Sequence, residues 1–261
     1  MIEAPAIIFE ERDALALIRL NRPDKRNALT GAMLERLGEL FAAIEKRRDL
    51  RAVILTGANE EAFSAGTDIG ELAPLDAEGA HRAARRGQEV CDLIEHCGVP
   101  VIAAVGGVAA GGGCELALAC HLRVASRTAR FQLPETKLGV IPAYGGTQRL
   151  ARLTGSGRAL EMMLTGQSVS AEEALRLGLV NRVAEPARLL ADSIALAHEI
   201  MQLAPLAIRA CLEAVTRGLS LPLEEGLKLE AKLFSSLFAT ADMREGTRAF
   251  LEKRPPKFQG R

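Results

Sequence analysis

Two aliphatic runs constrain the fold of this 261-residue chain more than any other feature: "AVILT" at 52–56 and "VPVIAAV" at 99–105. Neither alternates polar with apolar side chains, so a strand built from either must be covered on both faces. Further strands are expected at Ala14–Leu20 and in "HLRVAS" at 121–126. Between them lie segments with helical spacing. Thr30 is placed to cap a helix running through Arg47, with Met33, Leu34, Leu37, Leu40, Phe41 and Ile44 on one face. A long amphipathic helix is expected from about Glu78 to His96. Alternating helices and doubly covered strands predict an α/β core with a mostly parallel sheet. From about Gly145 strands nearly disappear, and 156–164, 170–177, 187–202, 205–218, 222–238 and 241–252 all read as helices. No Pro/Gly/Ser-rich linker sets this part off, so it is expected to pack on the core or on another subunit.

Composition closes off several function classes. Lys+Arg and Asp+Glu balance at 33 each, which leaves no global field to gather phosphate backbones. Aromatic residues are 3% with no Trp, so a base-stacking surface would be poor. Arg82, Arg85 and Arg86 form a candidate basic helix face, for which a solvated face is the favoured reading. Five cysteines, with no CxxC pair and no Cys/His ligand spacing, are expected as reduced, mostly core residues of an intracellular protein. The opening "MIEAPAIIFEERD" has no basic n-region, so no secretory signal is expected. The longest charge-free run, Gly98–Cys114, is Gly-rich, contains Pro100 and is short for a bilayer span. No phosphate-binding loop, GxGxxG turn, HExxH or GxSxG occurs, and the four histidines are scattered.

Chemistry concentrates instead in "GGVAAGGGCELALAC" (106–120), where three glycines precede good helix formers and Glu115 stands beside an apolar run. Gly costs about 1 kcal/mol against Ala inside a helix. Bare backbone at a helix start, however, exposes N–H groups that have no intrahelical partner and that carry the positive end of the dipole. A strand, a Gly-rich turn and a helix start together form a candidate oxyanion site, and "FSAGTDI" (63–69) supplies a second small-residue loop for another donor. Taken alone, the glycines are better explained by tight helix–strand packing. Glu115 and a second carboxylate twenty residues later, Glu135 in "FQLPETKLGVIP", point the other way. Pro134 holds Glu135 in a rigid extended or turn segment. Two carboxylates beside an oxyanion site suit acid/base work on carbon next to a carbonyl.

The segments "NRPDKRNAL", "FSAGTDI", "PVIAAVGGVAAGGGCELALAC", "LPETKLGVIPAYGGTQRL", "LTGQSVSAEEALRLGLVNRV" and "FLEKR" run in order from about Leu20 to Arg254. In that order and spacing the chain closely resembles the crotonase family, the enoyl-CoA hydratase/isomerase superfamily, and within it the enoyl-CoA hydratases. The resemblance implies an α/β, crotonase-like spiral of ββα turns with a C-terminal helical region. It divides the chain into a core at 1–195, carrying the CoA and acyl site, and a helical region at 196–261 for packing and oligomerisation. It also implies acyl-CoA thioester substrates, no metal and no separate cofactor, since coenzyme A is part of the substrate. A homo-hexamer built as a dimer of trimers goes with it; the opening segment leads to the expectation of a cytoplasmic location, and the charge balance and the short apolar run to neither nucleic acid nor membrane as partner.

By the same resemblance, the oxyanion donors fall on the N–H groups of Thr67 and Gly112, and the hydratase acid/base pair on Glu115 and Glu135. The CoA contacts fall on Ala65, Gly66, Asp68, Lys25, Arg26 and Lys253, the last from a neighbouring helix or subunit. Three positions depart from the family's pattern. Thr67 stands where Ala is common, Gly70 where Lys is frequent, and Ala143–Tyr144 where small residues precede "GGTQRL". Tyr144, the only tyrosine, is read either as lining or shortening the acyl pocket or as a surface or interface residue. Pocket walls are expected from Gly70–Ala80 and from the C-terminal helices. The expected reaction is hydration of a 2-trans-enoyl-CoA to a 3-hydroxyacyl-CoA. Hydration of a branched substrate such as methylglutaconyl-CoA, double-bond isomerisation, and RNA binding as a second property are the alternatives.

Overall fold

The aliphatic runs form the middle of a six-stranded sheet. The computed structural model describes residues 4–261, so the reading of Met1–Glu3 as leaderless lies outside the described residues. The chain begins with the hairpin β1 (Ile7–Arg12) and β2 (Leu15–Leu20), followed by α1 (Gly31–Glu45). It then runs through β3 (Ala52–Gly57), β4 (Ala62–Ser64), the one-turn α2 (Ile69–Leu72) and α3 (Ala77–Glu95). A second winding is β5 (Val101–Val105), β6 (Val108–Ala110) and α4 (Gly112–Ala119). A third is β7 (Leu122–Ser126) and β8 (Arg130–Gln132), followed by α5 (Gly146–Thr154) and α6 (Ser156–Thr165). Then come β9 (Val169–Ser170), α7 (Ala171–Arg176), β10 (Arg182–Ala184) and α8 (Leu189–Met201). The chain finishes with α9 (Pro205–Gly218), α10 (Leu223–Leu237) and α11 (Ala241–Leu251).

Each winding gives one strand to each of two sheets. The larger has the order β1-β2-β3-β5-β7-β10 and is parallel apart from β1–β2; the smaller is β4-β6-β8-β9, antiparallel only at β8–β9. The absence of alternation in β3 and β5 now has its cause. Val53, Leu55, Val101 and Ala103 face a core shared with α1, α3 and α4, while Ile54, Ile102 and Ala104 face a second core closed by α8. Both faces are dry, and burying each large aliphatic side chain contributes about 1.5–3 kcal/mol.

Thr30 caps α1 as expected, its Oγ1 accepting from Met33 N at 3.2 Å, and the six apolar residues named above are all buried. The helix stops at Glu45 instead of Arg47. The boundary expected after residue 195 falls inside α8, which is continuous from Leu189 to Met201 and packs on β3, β5 and β7. α8 thus belongs with the core, and the helices that follow it begin at Pro205. Cys91, Cys97, Cys114 and Cys120 are buried thiols and Cys211 is exposed. No single helix among the described residues is long and apolar enough to cross a membrane.

Candidate active site

Gly111 turns the chain from β6 into α4 with φ +48° and ψ −128°, a conformation open to glycine and strained for other residues. The neighbouring glycines serve different ends. A Cβ on Gly113 would stand 2.5 Å from Ser64 Cβ, so that position is a close packing of α4 on β4. A Cβ on Gly111 would stand 2.9 Å from Glu135 Oε1, and one on Gly112 would stand 2.7 Å from Tyr144 Cε2. The packing reading therefore holds for Gly113, whereas Gly111 and Gly112 make room for the side chains of the site.

The 63–69 loop meets this turn directly. A Cβ on Gly66 would stand 2.8 Å from Ala110 O and 3.4 Å from Gly112 N. Among the described residues, neither Thr67 N–H nor Gly112 N–H donates to a protein acceptor, although Asp68 N–H donates to Leu29 O and Gly111 N–H to Gln132 O. Two adjacent loops thus each present an unspent backbone donor beside the start of α4.

Glu115 lies in the first turn of α4 and is 2% exposed. Its Oε1 accepts from Tyr144 N at 2.8 Å and Gly146 N at 2.6 Å, leaving Oε2 without a protein donor. Burial pushes its pKa up to about 7; the nearby Glu135 charge adds to the rise, while the two N–H groups oppose it. Glu135 opens a single 3-10 turn, Glu135–Leu138, and its Oε2 is buried without a hydrogen-bond partner. Burial also raises its pKa. Both carboxylates line one cavity of about 260 Å³ together with Gly66, Thr67, Gly112 and Tyr144. The rest of the wall comes from α2, α3 and the segment after Pro134, among them Leu72, Ala80 and Ile141. Within the single chain the cavity lining ends at Tyr144, so the C-terminal helices of the same chain do not reach it.

Tyr144 is 5% exposed, which removes the surface reading. Its hydroxyl accepts from Thr67 Oγ1 at 2.9 Å, and its ring lies so close to α3 that a Cβ on Gly87 would stand 2.0 Å from Cδ1. Arg149, unremarked in the sequence although it lies in "GGTQRL", holds this segment from behind. Its Nη1 donates to Tyr144 O at 3.0 Å while Glu95 and Asp92 accept from its other nitrogens.

The other expected positions divide into two groups. Ala65, Gly66 and Thr67 line the site cavity. Asp68 is committed to structure, accepting from Arg22 Nη1 at 2.8 Å and from Gly70 N at 3.0 Å, and these partners hold its pKa below the usual carboxylate range. Lys25 and Arg26 are exposed on the neighbouring 22–29 loop. Lys253 is exposed beyond the end of α11, and its side chain makes no ion pair or hydrogen bond with the others among the described residues. Arg82, Arg85 and Arg86 each have a polar partner nearby, in Glu78, Gln88 and Glu35 respectively. Asn27 is the residue the sequence reading missed. Fully buried, it donates from Nδ2 to Ala62 O (2.8 Å) and Phe63 O (3.3 Å) and accepts from Arg22 N (2.9 Å) at Oδ1. Ser64 Oγ, in turn, donates to Asn27 O at 2.8 Å. "NRPDKRNAL" is thereby a clamp on the 63–69 loop; an Asn inside a charged turn was the available signal.

The family model for enoyl-CoA hydratase/isomerase matches residues 10–261. The chain is 40% identical to a short-chain-enoyl-CoA hydratase of Clostridium acetobutylicum over 97% of both chains. It is also 40% identical to a crotonyl-CoA hydratase of Syntrophomonas wolfei, again over 97% of each. Among solved structures, an enoyl-CoA hydratase from Bacillus anthracis superimposes with a TM-score of 0.95 at 40% identity, covering 98% of this chain and 100% of that one. One from Geobacillus kaustophilus does so with a TM-score of 0.93 at 43% identity, covering 98% and 99%.

Proposed function

The chain belongs to the enoyl-CoA hydratase/isomerase family, and from that membership we propose that it hydrates a short-chain 2-trans-enoyl-CoA to the 3-hydroxyacyl-CoA. One observation carries the reading to this site. Glu115 and Glu135 line the same small cavity, each with its Oε2 free of protein donors, beside the unspent N–H groups of Thr67 and Gly112.

The thioester oxygen lies between those two N–H groups, which stabilise the enolate charge that develops there; losing one such donor typically costs about 3–4 kcal/mol of transition-state stabilisation. A water bridges the two free carboxylate oxygens. Its proton passes to Glu115 as its oxygen bonds to C3, and Glu135 delivers a proton to C2 on the same face. The cycle leaves Glu115 protonated and Glu135 ionised, and proton exchange with solvent resets the pair. Burial raises the pKa of both groups, that of Glu115 to about 7.

Coenzyme A enters as part of the substrate, with no separate cofactor. Its adenine end lies against the Ala65–Asp68 backbone, and its phosphates meet Lys25 and Arg26, with Lys253 reaching them from a neighbouring helix or subunit. The assembly is a homo-hexamer and the enzyme works in the cytoplasm. Support for assembly comes from α9 and α10, which bury no residue within the single chain and expose Leu219 and Leu223.

The test is turnover of crotonyl-CoA, followed as loss of conjugated-enoyl absorbance, by wild type, Glu115→Gln and Glu135→Gln. Wild type is expected to turn over, and each variant to lose about 10²–10⁴-fold in kcat. A wild type inert towards crotonyl-CoA sinks the short-chain reading. Variants that retain most of the rate sink the two-glutamate mechanism.

A further inference from the structure

Behind Tyr144 lies a second cavity. It measures about 220 Å³ and sits between α1, α2 and α3, with Leu29, Leu34, Leu72, Leu75 and Ala83 as its apolar wall. Four residues line both this space and the one that holds the two carboxylates: Thr67, Leu72, Ala83 and Tyr144. Leu72 and Ala83 belong to α2 and α3, whose backbones are fixed in the fold. Tyr144 and Thr67 differ in kind, because they meet side chain to side chain, hydroxyl to hydroxyl at 2.9 Å, from loops 77 residues apart. The ring is wedged against Gly87 on one side and Gly112 on the other, with no room for a Cβ at either. Charged groups also line the rear space and are paired, Glu71 accepting from Gly31 N, Arg82 donating to Glu78 and Arg86 facing Glu35. What remains is a partly polar space, open at its mouth like the site itself and of similar size.

We infer that Tyr144, latched by Thr67, is the end wall of the acyl pocket and sets the chain length accepted, and that the cavity behind it is an extension whose Leu29, Leu34, Leu72, Leu75 and Ala83 wall takes a longer unbranched acyl tail. The inference rests on the hydratase reading above. The thioester oxygen is fixed at Thr67 and Gly112 and C3 at the carboxylates, so the acyl tail leaves the reacting carbons next to the Tyr144 ring. A four-carbon chain ends on that ring, whereas a longer one collides with it. Each methylene rejected by a tight apolar wall is worth about tenfold or more in discrimination.

The experiment measures kcat/KM for trans-2-enoyl-CoA substrates of four and eight carbons with wild type, Tyr144→Phe, Tyr144→Ala, and Tyr144→Ala combined with Leu75→Phe. Wild type is expected to favour the four-carbon substrate strongly. Tyr144→Ala is expected to raise the eight- to four-carbon ratio about tenfold or more. Tyr144→Phe keeps the ring packing and loses only the latch, and is expected to move the ratio a few-fold in the same direction. Refilling the rear space with Leu75→Phe is expected to reverse the gain. Dissociation constants for butyryl-CoA and octanoyl-CoA, which have no double bond to hydrate, read the pocket without the chemistry. If wild type hydrates nothing but Tyr144→Ala gains affinity for octanoyl-CoA over butyryl-CoA, the hydratase reading fails and the wall stands. If both Tyr144 variants leave the rate ratio and the affinity ratio within twofold of wild type, the wall is overturned.

Discussion

In the mechanism proposed above Glu115 joins two demands that conflict, since its carboxylate is to be dry to act as a base near neutral pH and a dry carboxylate costs stability when ionised. Its pKa is about 7 in the folded chain against 4.5 for the ordinary group, and burial is the first cause. Below pH 4.5 the group is protonated in both states and costs nothing. Between 4.5 and 7 the unfolded chain releases the proton while the folded chain keeps it, so stability falls as pH rises through that window. Glu115→Gln removes the penalty and keeps a carbonyl oxygen for the N–H groups of Tyr144 and Gly146. Its melting temperature is expected to exceed that of wild type at pH 8, by up to about 3 kcal/mol in stability, with the gap closing towards pH 4.5. Equal melting temperatures at pH 8 would show that the ionised carboxylate is solvated after all. The same pKa predicts an acid limb in activity: kcat/KM with crotonyl-CoA falls as pH drops through about 7, because the base is lost. Glu115, Glu135 and the two small-residue loops that meet beside them are legible in the sequence, since each sits in a contiguous motif. The Thr67–Tyr144 latch is not, because nothing local to either residue says that two hydroxyls 77 positions apart will meet.

At the scale of elements, length decides what a sequence reveals. α1 and α3 run 15 and 19 residues, enough turns for an apolar face to repeat, and the ends expected for both lie within two residues of those found. The smaller sheet has strands of three residues or fewer, β4, β6, β8 and β9, too short for any period to show. Part of it is hidden in the glycine run itself, where β6 occupies Val108–Ala110. This sheet is what brings the two donor loops together, as β4 leads to Thr67 and β6 leads to Gly112. Asn27 is the tie that holds the first of those loops from the side. It sits at φ +56° with its amide spent on three backbone groups. Asn27→Gly relieves the backbone and deletes the ties, so any loss it shows belongs to the hydrogen bonds. Orphaning buried groups of this kind costs about 1–3 kcal/mol each. Denaturant unfolding is expected to show a loss of about 3 kcal/mol or more at unchanged m-value, accompanied by lower kcat with crotonyl-CoA as Thr67 loses its support. A midpoint close to that of wild type would mean the 63–69 loop is held by its strand alone.

Over the whole molecule, the chain has more apolar surface than a single copy can cover. β3 and β5 are dry on both faces because α8 closes the second core, but nothing comparable closes over α9 and α10. Leu223 is 79% exposed and Phe250 is 83% exposed, and Phe234 and Phe238 stack edge to face at 5.1 Å while both remain exposed. These side chains also escape a reading from spacing: the helical period shows that α10 has an apolar face without showing that the face looks outward. Charges do not oppose association, since basic and acidic residues balance at 33 each. An apolar face of this kind on a folded chain marks a contact with another protein surface, and a self-complementary one closes into a symmetric ring or pair. Sedimentation equilibrium is therefore expected to give a multiple of the 27.9 kDa chain mass, six copies on the assembly proposed above. Leu223→Glu with Phe250→Glu places two charges on the exposed face without touching the core, so the fold should survive while the mass drops to a smaller species. The melting temperature of wild type should rise with protein concentration and that of the double variant should rise less, since only the assembled form gains from mass action. A wild type that sediments as a single 27.9 kDa chain at micromolar concentration would leave α9 and α10 as an apolar face with no partner of its own kind.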